Sequence, residues 1–172
     1  MSDIFSKAKR SEVMSRIRST GNKDAEQKLA GLMRAAGITG WRRQVKLRVK
    51  TWRSEKSRSK QGDSAKVTAG KALQVRPDFL FRAQRVAVFV DGCFWHGCPR
   101  HATRPMQNRA FWDAKLARNK ARDRAVTRGL KKAGWTVLRI WECALTVKRS
   151  PATLRSIERA LAIQPAPRVP VG

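Results

Sequence analysis

Apolar residues Ala25, Leu29, Leu32, Met33 and Ala36 recur at helical spacing, which predicts a helix over 23–36 closed by Gly37. Trp41 to Val45 reads as a strand with poor alternation. A short apolar run, Phe79 to Phe81, is separated by the polar stretch Arg82 to Arg85 from a second run, Val86 to Val90, that ends on Asp91. These are two strands joined by a tight turn. Asn108 and Gly134 bracket a long predicted helix, 109–133, whose inner face carries Phe111, Ala114, Val126, Leu130 and Ala133. Trp135 to Trp141 is rich in aromatic and β-branched residues and reads as a strand. Ser150-Pro151 then has the N-cap and N1 residues of a last helix, 151–163, with Leu154, Ile157 and Leu161 inward. A strand, a helix and a strand in succession form a right-handed crossover unit, so the whole reads as an α/β fold with an αβββαβ core.

Outside this core the patterning weakens. Residues 1–20 form a basic arm in which Val13, Met14 and Ile17 mark one face of a short helix, either partly ordered or ordering on a partner. Residues 46–76 carry ten basic residues against Glu55 and Asp63, a basic insertion that is a long loop or hairpin without a core of its own. It either lies on phosphates or is a solvated excursion. The tail, 164–172, holds three prolines and is expected to be disordered, which leaves 21–163 as a single domain.

Charge changes the picture more than length does. Lys and Arg number 39 against 12 acids, and a net charge of +27 points to a polyanionic partner, with nucleic acid first. No apolar run approaches the roughly 18 residues of a membrane span, and the first ten residues, MSDIFSKAKR, have no apolar signal region. The expectation is a cytoplasmic protein, monomeric because no interface is evident. Three cysteines, an odd number, favour metal or reduced thiol over a disulfide framework.

The candidate chemistry is concentrated between Arg76 and His101, which holds both histidines of the chain. The turn between the two short strands brings Asp78 and Asp91 toward one another, and paired carboxylates form a hard oxygen site suited to Mg²⁺. Directly after Asp91, the spacing Cys93-x4-Cys98-x2-His101 supplies three ligands of a zinc site, and Cys143 is the remaining cysteine to complete it. The bland alternative is two buried thiols and a surface cysteine.

Pro77-Asp78, twelve residues, then Asp91-Gly92-Cys93 has the outline of the Pro-Asp…(Asp/Glu)-x-Lys nuclease motif, with cysteine where the lysine belongs. Together with GCFWHGCPRH (92–101), NRAFW (108–112), NKARDR (119–124), AGWTVLRIWECAL (133–145) and MSRIRSTGNKDAEQKL (14–29), this chain closely resembles the very-short-patch repair (Vsr) endonuclease family. The resemblance covers roughly Ser11 to Leu145. It implies a restriction-endonuclease-like fold that nicks one strand of duplex DNA on the 5′ side of the thymine in a T:G mismatch. Such mismatches arise by deamination of 5-methylcytosine, so a cytosine-5 DNA methyltransferase is the implied functional partner, alongside mismatch-repair proteins.

Carried over residue by residue, the resemblance implies that Asp78 binds catalytic Mg²⁺ with the backbone carbonyl of Val90. It further implies that His96 is the general base and that Glu26 supports the site through hydrogen bonding. Asp91 stands where the best-known member has histidine, and either adds a direct metal ligand or holds a water. A structural zinc site maps onto Cys93, Cys98, His101 and Cys143. Phe94, Trp95 and Trp112 match aromatic residues inserted into the DNA stack, although Trp112 also reads as core beside Phe111. The basic face of the long helix, Lys115, Arg118, Lys120, Arg122, Arg124 and Arg128, is either solvated or a phosphate contact. Two other readings stand beside this one: a restriction-type or nicking endonuclease on unmismatched DNA, and a catalytically idle, zinc-stabilised DNA-binding protein.

Overall fold

The computed structural model describes residues 23–49, 52–54, 67–69, 72–101 and 108–162. The basic arm, 1–20, the far part of the insertion, 55–66, and the proline-rich tail, 164–172, lie outside the described residues. Helix α1, Lys23–Ala35, buries Ala25, Leu29, Ala30 and Met33 on one face. It ends in a Schellman motif, with Gly37 at φ +71°, the Gly37 N–H on the Arg34 carbonyl and the Ile38 N–H on the Met33 carbonyl. Buried Ile38 then packs against Met33 and starts the turn into the sheet.

The central sheet has four strands, β1 (Trp41–Arg43), β6 (Phe79–Phe81), β7 (Val86–Asp91) and β8 (Thr136–Trp141), in the order β1-β6-β7-β8. The first two pairings are antiparallel and β7/β8 is parallel, with Val86 opposite Thr136 and Asp91 opposite Trp141. Because β7 is covered on both faces, its residues read as a continuous apolar run instead of an alternating one. Phe79, Phe81, Val86, Val88, Val90 and Ile140 pack on Leu29, Met33 and Ile157, whereas Leu80 and Ala87 pack on Leu130. Helix α1 and the last helix, α4 (Ser150–Ala162), therefore cover one face, and the long helix α3 (Arg109–Lys132) covers the other. A single turn, α2 (Cys93–His96), follows β7, and a short 3-10 turn, Glu142–Leu145, follows β8.

The insertion is a hairpin. β2 (Leu47–Val49) pairs with β5 (Leu73–Val75), and β3 (Trp52–Ser54) pairs with β4 (Val67–Ala69), both antiparallel. The register differs by one residue between the two ladders. Its base does share a core: Leu47, Val49 and Val75 are buried with Leu80, Ala87 and Leu130.

Three local expectations are corrected. Strand β1 stops at Arg43 instead of running to Val45, because Gln44 takes φ +54°. Neither Asn108 nor Ser150 caps a helix through its side chain: Asn108 sits at φ +54° with no capping bond, and the Ser150 hydroxyl donates to the Val147 carbonyl. The inner stripe of α3 also differs in its first half, where Phe111 and Ala114 are exposed and Leu116 is buried, in line with Asn119, Asp123 and Leu130. No described helix is long and apolar enough to cross a membrane.

Candidate active site and metal centre

At the end of the sheet where β7 finishes, the antiparallel partner β6 begins, so the residue before β6 lies beside the last residues of β7. Asp78 occupies that place, and its Oδ2 accepts the Val90 N–H at 2.7 Å. The left-handed backbone at Gln44 turns its amide between two acids: Nε2 donates to Glu26 Oε2 at 3.0 Å and to Asp78 Oδ1 at 3.2 Å. Arg43 Nη2 holds the same Glu26 oxygen at 2.8 Å, which pairs an acid that is only 2 % exposed. Burial pushes the Asp78 carboxyl up to about 6; the Val90 N–H and Gln44 oppose this, while the charges of Glu26 and Asp91 add to it. A carboxylate that is costly to ionise next to two further acids is a place where a divalent cation relieves repulsion.

Asp91 faces the other way. Its two oxygens are held by Arg139, Nε to Oδ2 at 2.7 Å and Nη2 to Oδ1 at 2.6 Å. His96, on the α2 turn, places Nδ1 2.6 Å from Asp123 Oδ2 and 3.6 Å from Asp91 Oδ1. Burial tends to raise the Asp123 carboxyl, but the His96 hydrogen bond and the charges of Arg139 and His96 hold it below its ordinary value. Burial likewise opposes the charge on Arg139, and the two aspartates more than restore it. Asn119 Nδ2 donates to the Trp95 carbonyl at 2.9 Å and Glu142 Oε1 accepts the Cys93 N–H at 2.8 Å, so the α2 turn is pinned from both α3 and the end of β8.

Of the residues that the sequence pointed to, Glu26, Asp78 and Asp91 fall at one end of the sheet with His96. Gln44, Asp123 and Arg139 were not singled out. Each carried a signal: Asp123 is one of two acids in a basic 24-residue helix, four residues after Asn119, and Arg139 is the lone charge in strand TVLRIW.

Cys93, Cys98, His101 and Cys143 come together as a group that could hold a metal ion, with ligand atoms all within 4.8 Å of one another. Cys98 Sγ lies 3.8 Å from His101 Nδ1 and 3.9 Å from Cys143 Sγ. A tetrahedron with metal–sulfur bonds of about 2.3 Å has edges of about 3.8 Å, so the spacing fits zinc and no disulfide joins the three cysteines. Burial pushes the Cys93 thiol up to about 12. Burial also acts on Cys98, but the N–H groups of Arg100 and His101 and the His101 ring outweigh it and draw that thiol down to about 6.

Beside His96, Phe94, Trp95, Trp112 and Phe111 form a chain of ring contacts with centroids 5.0 to 6.0 Å apart, edge-on except for the tilted Trp95–Trp112 pair. Lys115 Nζ lies over three of these rings, 5.1 Å from Trp95, 5.4 Å from Trp112 and 5.7 Å from Phe111. Trp112 is half-buried and Phe111 is 54 % exposed, so neither belongs to the domain core. Arg118, Lys120 and Arg122 are exposed on the adjoining part of α3. Lys120 lies across Gly97, where φ is +65° and a Cβ would meet its Cε at 2.5 Å.

The family model of the DNA mismatch endonuclease Vsr matches residues 61–102. The chain is 53 % identical over 73 residues to the type II nicking enzyme V.NaeI of Lentzea aerocolonigenes, a match spanning 42 % of this chain and 44 % of that enzyme. It is 42 % identical over 107 residues to the type II nicking enzyme V.NmeDIP of Neisseria meningitidis serogroup C, 55 % of this chain and 72 % of that enzyme. The chain thus covers less than half the length of the first of these relatives and nearly three quarters of the second. The DNA mismatch endonuclease Vsr of Escherichia coli K12 is 32 % identical over 146 residues, which span 84 % of this chain and 76 % of that protein. With the αβββαβ core and the Cys3His group in place, the chain belongs to the Vsr family of DNA mismatch endonucleases.

Proposed function

We propose that this protein is an endonuclease that nicks one strand of duplex DNA on the 5′ side of the thymine in a T:G mismatch. The observation that supports the reading is that the Glu26–Gln44–Asp78 acid group and the Asp123–His96 pair both lie at the end of the sheet where β7 finishes. Asp78 and the backbone carbonyl of Val90 would hold Mg²⁺, which supplies charge neutralisation at the phosphate. Glu26 and Gln44 hold the Asp78 carboxylate in place. Asp123 engages Nδ1 of His96, so the Nε2 lone pair is the one directed to accept a proton from the attacking water. Arg139 takes up both oxygens of Asp91, which favours an orienting role for Asp91 over direct metal ligation.

Zinc is the metal that suits Cys93, Cys98, His101 and Cys143, where it would tie the α2 turn to the end of β8 as a structural ion. Phe94, Trp95 and Trp112, which touch one another ring to ring, would enter the base stack as a wedge, and unstacking costs less where pairing is already weak. Arg118, Lys120 and Arg122 extend that surface toward phosphates. In this reading the partners are duplex DNA, a cytosine-5 methyltransferase whose product creates the lesion, and mismatch-repair proteins. The enzyme acts as a cytoplasmic monomer.

A second reading is favoured by V.NaeI and V.NmeDIP, both described as type II nicking enzymes: strand nicking without dependence on a mismatch. Rates on a T:G duplex and its T:A counterpart, in several methyltransferase contexts at one salt concentration, separate the two. The proposal expects a nick in the T:G duplex alone, and equal rates on both would transfer the assignment to the second reading.

A further inference from the structure

The register of β7 and β8 sets Arg139 opposite Phe89, with its guanidinium 5.3 Å over that ring, and residues 89 and 91 share the face of the sheet covered by α3. The guanidinium therefore sits among three side chains from three elements. Its Nη2 reaches Asp91 Oδ1 at 2.6 Å and Asp123 Oδ1 at 3.2 Å, and lies 3.5 Å from His96 Nδ1. Two carboxylates stand within reach of one imidazole nitrogen, at 2.6 Å for Asp123 and 3.6 Å for Asp91. A buried carboxylate seeks the nearest donor, so without a competing partner Asp91, 4 % exposed, would contend for that nitrogen.

We infer that Arg139 is a positioning residue that selects the acid partner of His96: by taking both oxygens of Asp91 and one of Asp123, it leaves Nδ1 to Asp123 Oδ2. The fork also joins the strand that carries Val90 to the helix that orients the imidazole, which fixes one half of the site relative to the other. This inference rests on the nuclease reading of His96 for its kinetic consequences, but the hydrogen-bond selection itself does not.

The test uses the full chain with its metals. R139M keeps the length of the side chain and removes the fork. It is expected to lower kcat on a T:G duplex by about 100-fold, the scale of an ångström misplacement of a catalytic group, while KM for the duplex stays within about threefold. The double variant R139M/D91N removes the competing charge as well, leaves no unpaired buried acid there, and is expected to recover about tenfold over R139M. A rise in KM with unchanged kcat would make Arg139 a DNA contact and overturn the inference, as would a double variant no faster than the single one. Proton NMR supplies a readout independent of activity, since the chain has only two histidines. The low-field Nδ1–H signal of His96 should be present in wild type, lost in D123N, displaced in R139M and restored in R139M/D91N. A signal identical in R139M and wild type contradicts the inference. If wild type nicks no duplex at all, the nuclease reading fails while the NMR comparison still decides the selection.

Discussion

Replacing Asp78 by asparagine should make the magnesium-free protein more stable while destroying its activity. The folded protein holds the Asp78 proton up to about pH 6, against an ordinary carboxyl value of 3.8. The folded state therefore binds more protons than the unfolded one across that interval, so stability is full below about 3.8 and is lost as pH rises through about 6. A difference of about two units corresponds to roughly 3 kcal/mol at neutral pH. Asparagine carries no charge to desolvate and still offers its Oδ1 to the Val90 N–H. Its amide nitrogen meets Gln44 Nε2, donor against donor, and losing that bond returns about 1 kcal/mol. The net gain is about 2 kcal/mol, or about 4–8 °C in Tm for a chain of this size. The assay is thermal unfolding at pH 8 and at pH 4, with zinc retained and no magnesium added. Asp78→Asn should melt higher than wild type at pH 8, and the advantage should vanish at pH 4. Added Mg²⁺ should raise the wild-type Tm and leave that of the variant unchanged. A variant no more stable than wild type at pH 8 would refute the reasoning.

Three further outcomes follow from the same geometry. Asp123→Asn removes the acceptor that fixes the His96 ring and should lower kcat by about 100-fold or more with little change in duplex affinity; unchanged kcat would remove His96 from the role given to it. Cys143→Ser, or removal of zinc by a chelator, should destabilise the α2 turn by several kcal/mol. Elemental analysis should find one zinc per wild-type chain, and an unchanged melting curve after complete zinc loss would count against the four-ligand site. Trp95→Ala should narrow the T:G over T:A rate ratio by about tenfold, since base–aromatic stacking contributes about 1–3 kcal/mol; an unaltered ratio would leave the aromatic chain without a part in mismatch selection.

The sheet was legible because its strands are short apolar runs with polar turns between them, and β6 spans 79–81 as the run Phe79–Leu80–Phe81 indicates. The Cys3His group was legible because metal ligands are few in kind and their spacing is short. The inner stripe of α3 was less legible, since the helix turns half-buried Asn119 and Asp123 inward beside Leu116 and a periodicity of apolar residues is blind to polar groups turned inward. Phe111 misled for the converse reason: an apolar residue at helical spacing lies exposed within an aromatic cluster and away from the core. Arg139 and Gln44 were hidden because their meaning comes from partners 48 and 34 positions away, and from a left-handed backbone at Gln44 that only the folded chain reveals. The hairpin of the insertion was half legible. Its charge was plain, but the burial of Leu47, Val49 and Val75 depends on the sheet face beneath them.

The most direct measurement is strand-specific nicking of an end-labelled T:G duplex in Mg²⁺ by wild type, Asp78→Ala and His96→Ala, each checked for equal duplex binding. Salt must be held fixed, because a chain of net charge +27 binds any DNA when salt is low. Wild type should make one nick on the 5′ side of the mispaired thymine, and both variants should lose it. Full nicking by either variant would contradict the active site described for this protein.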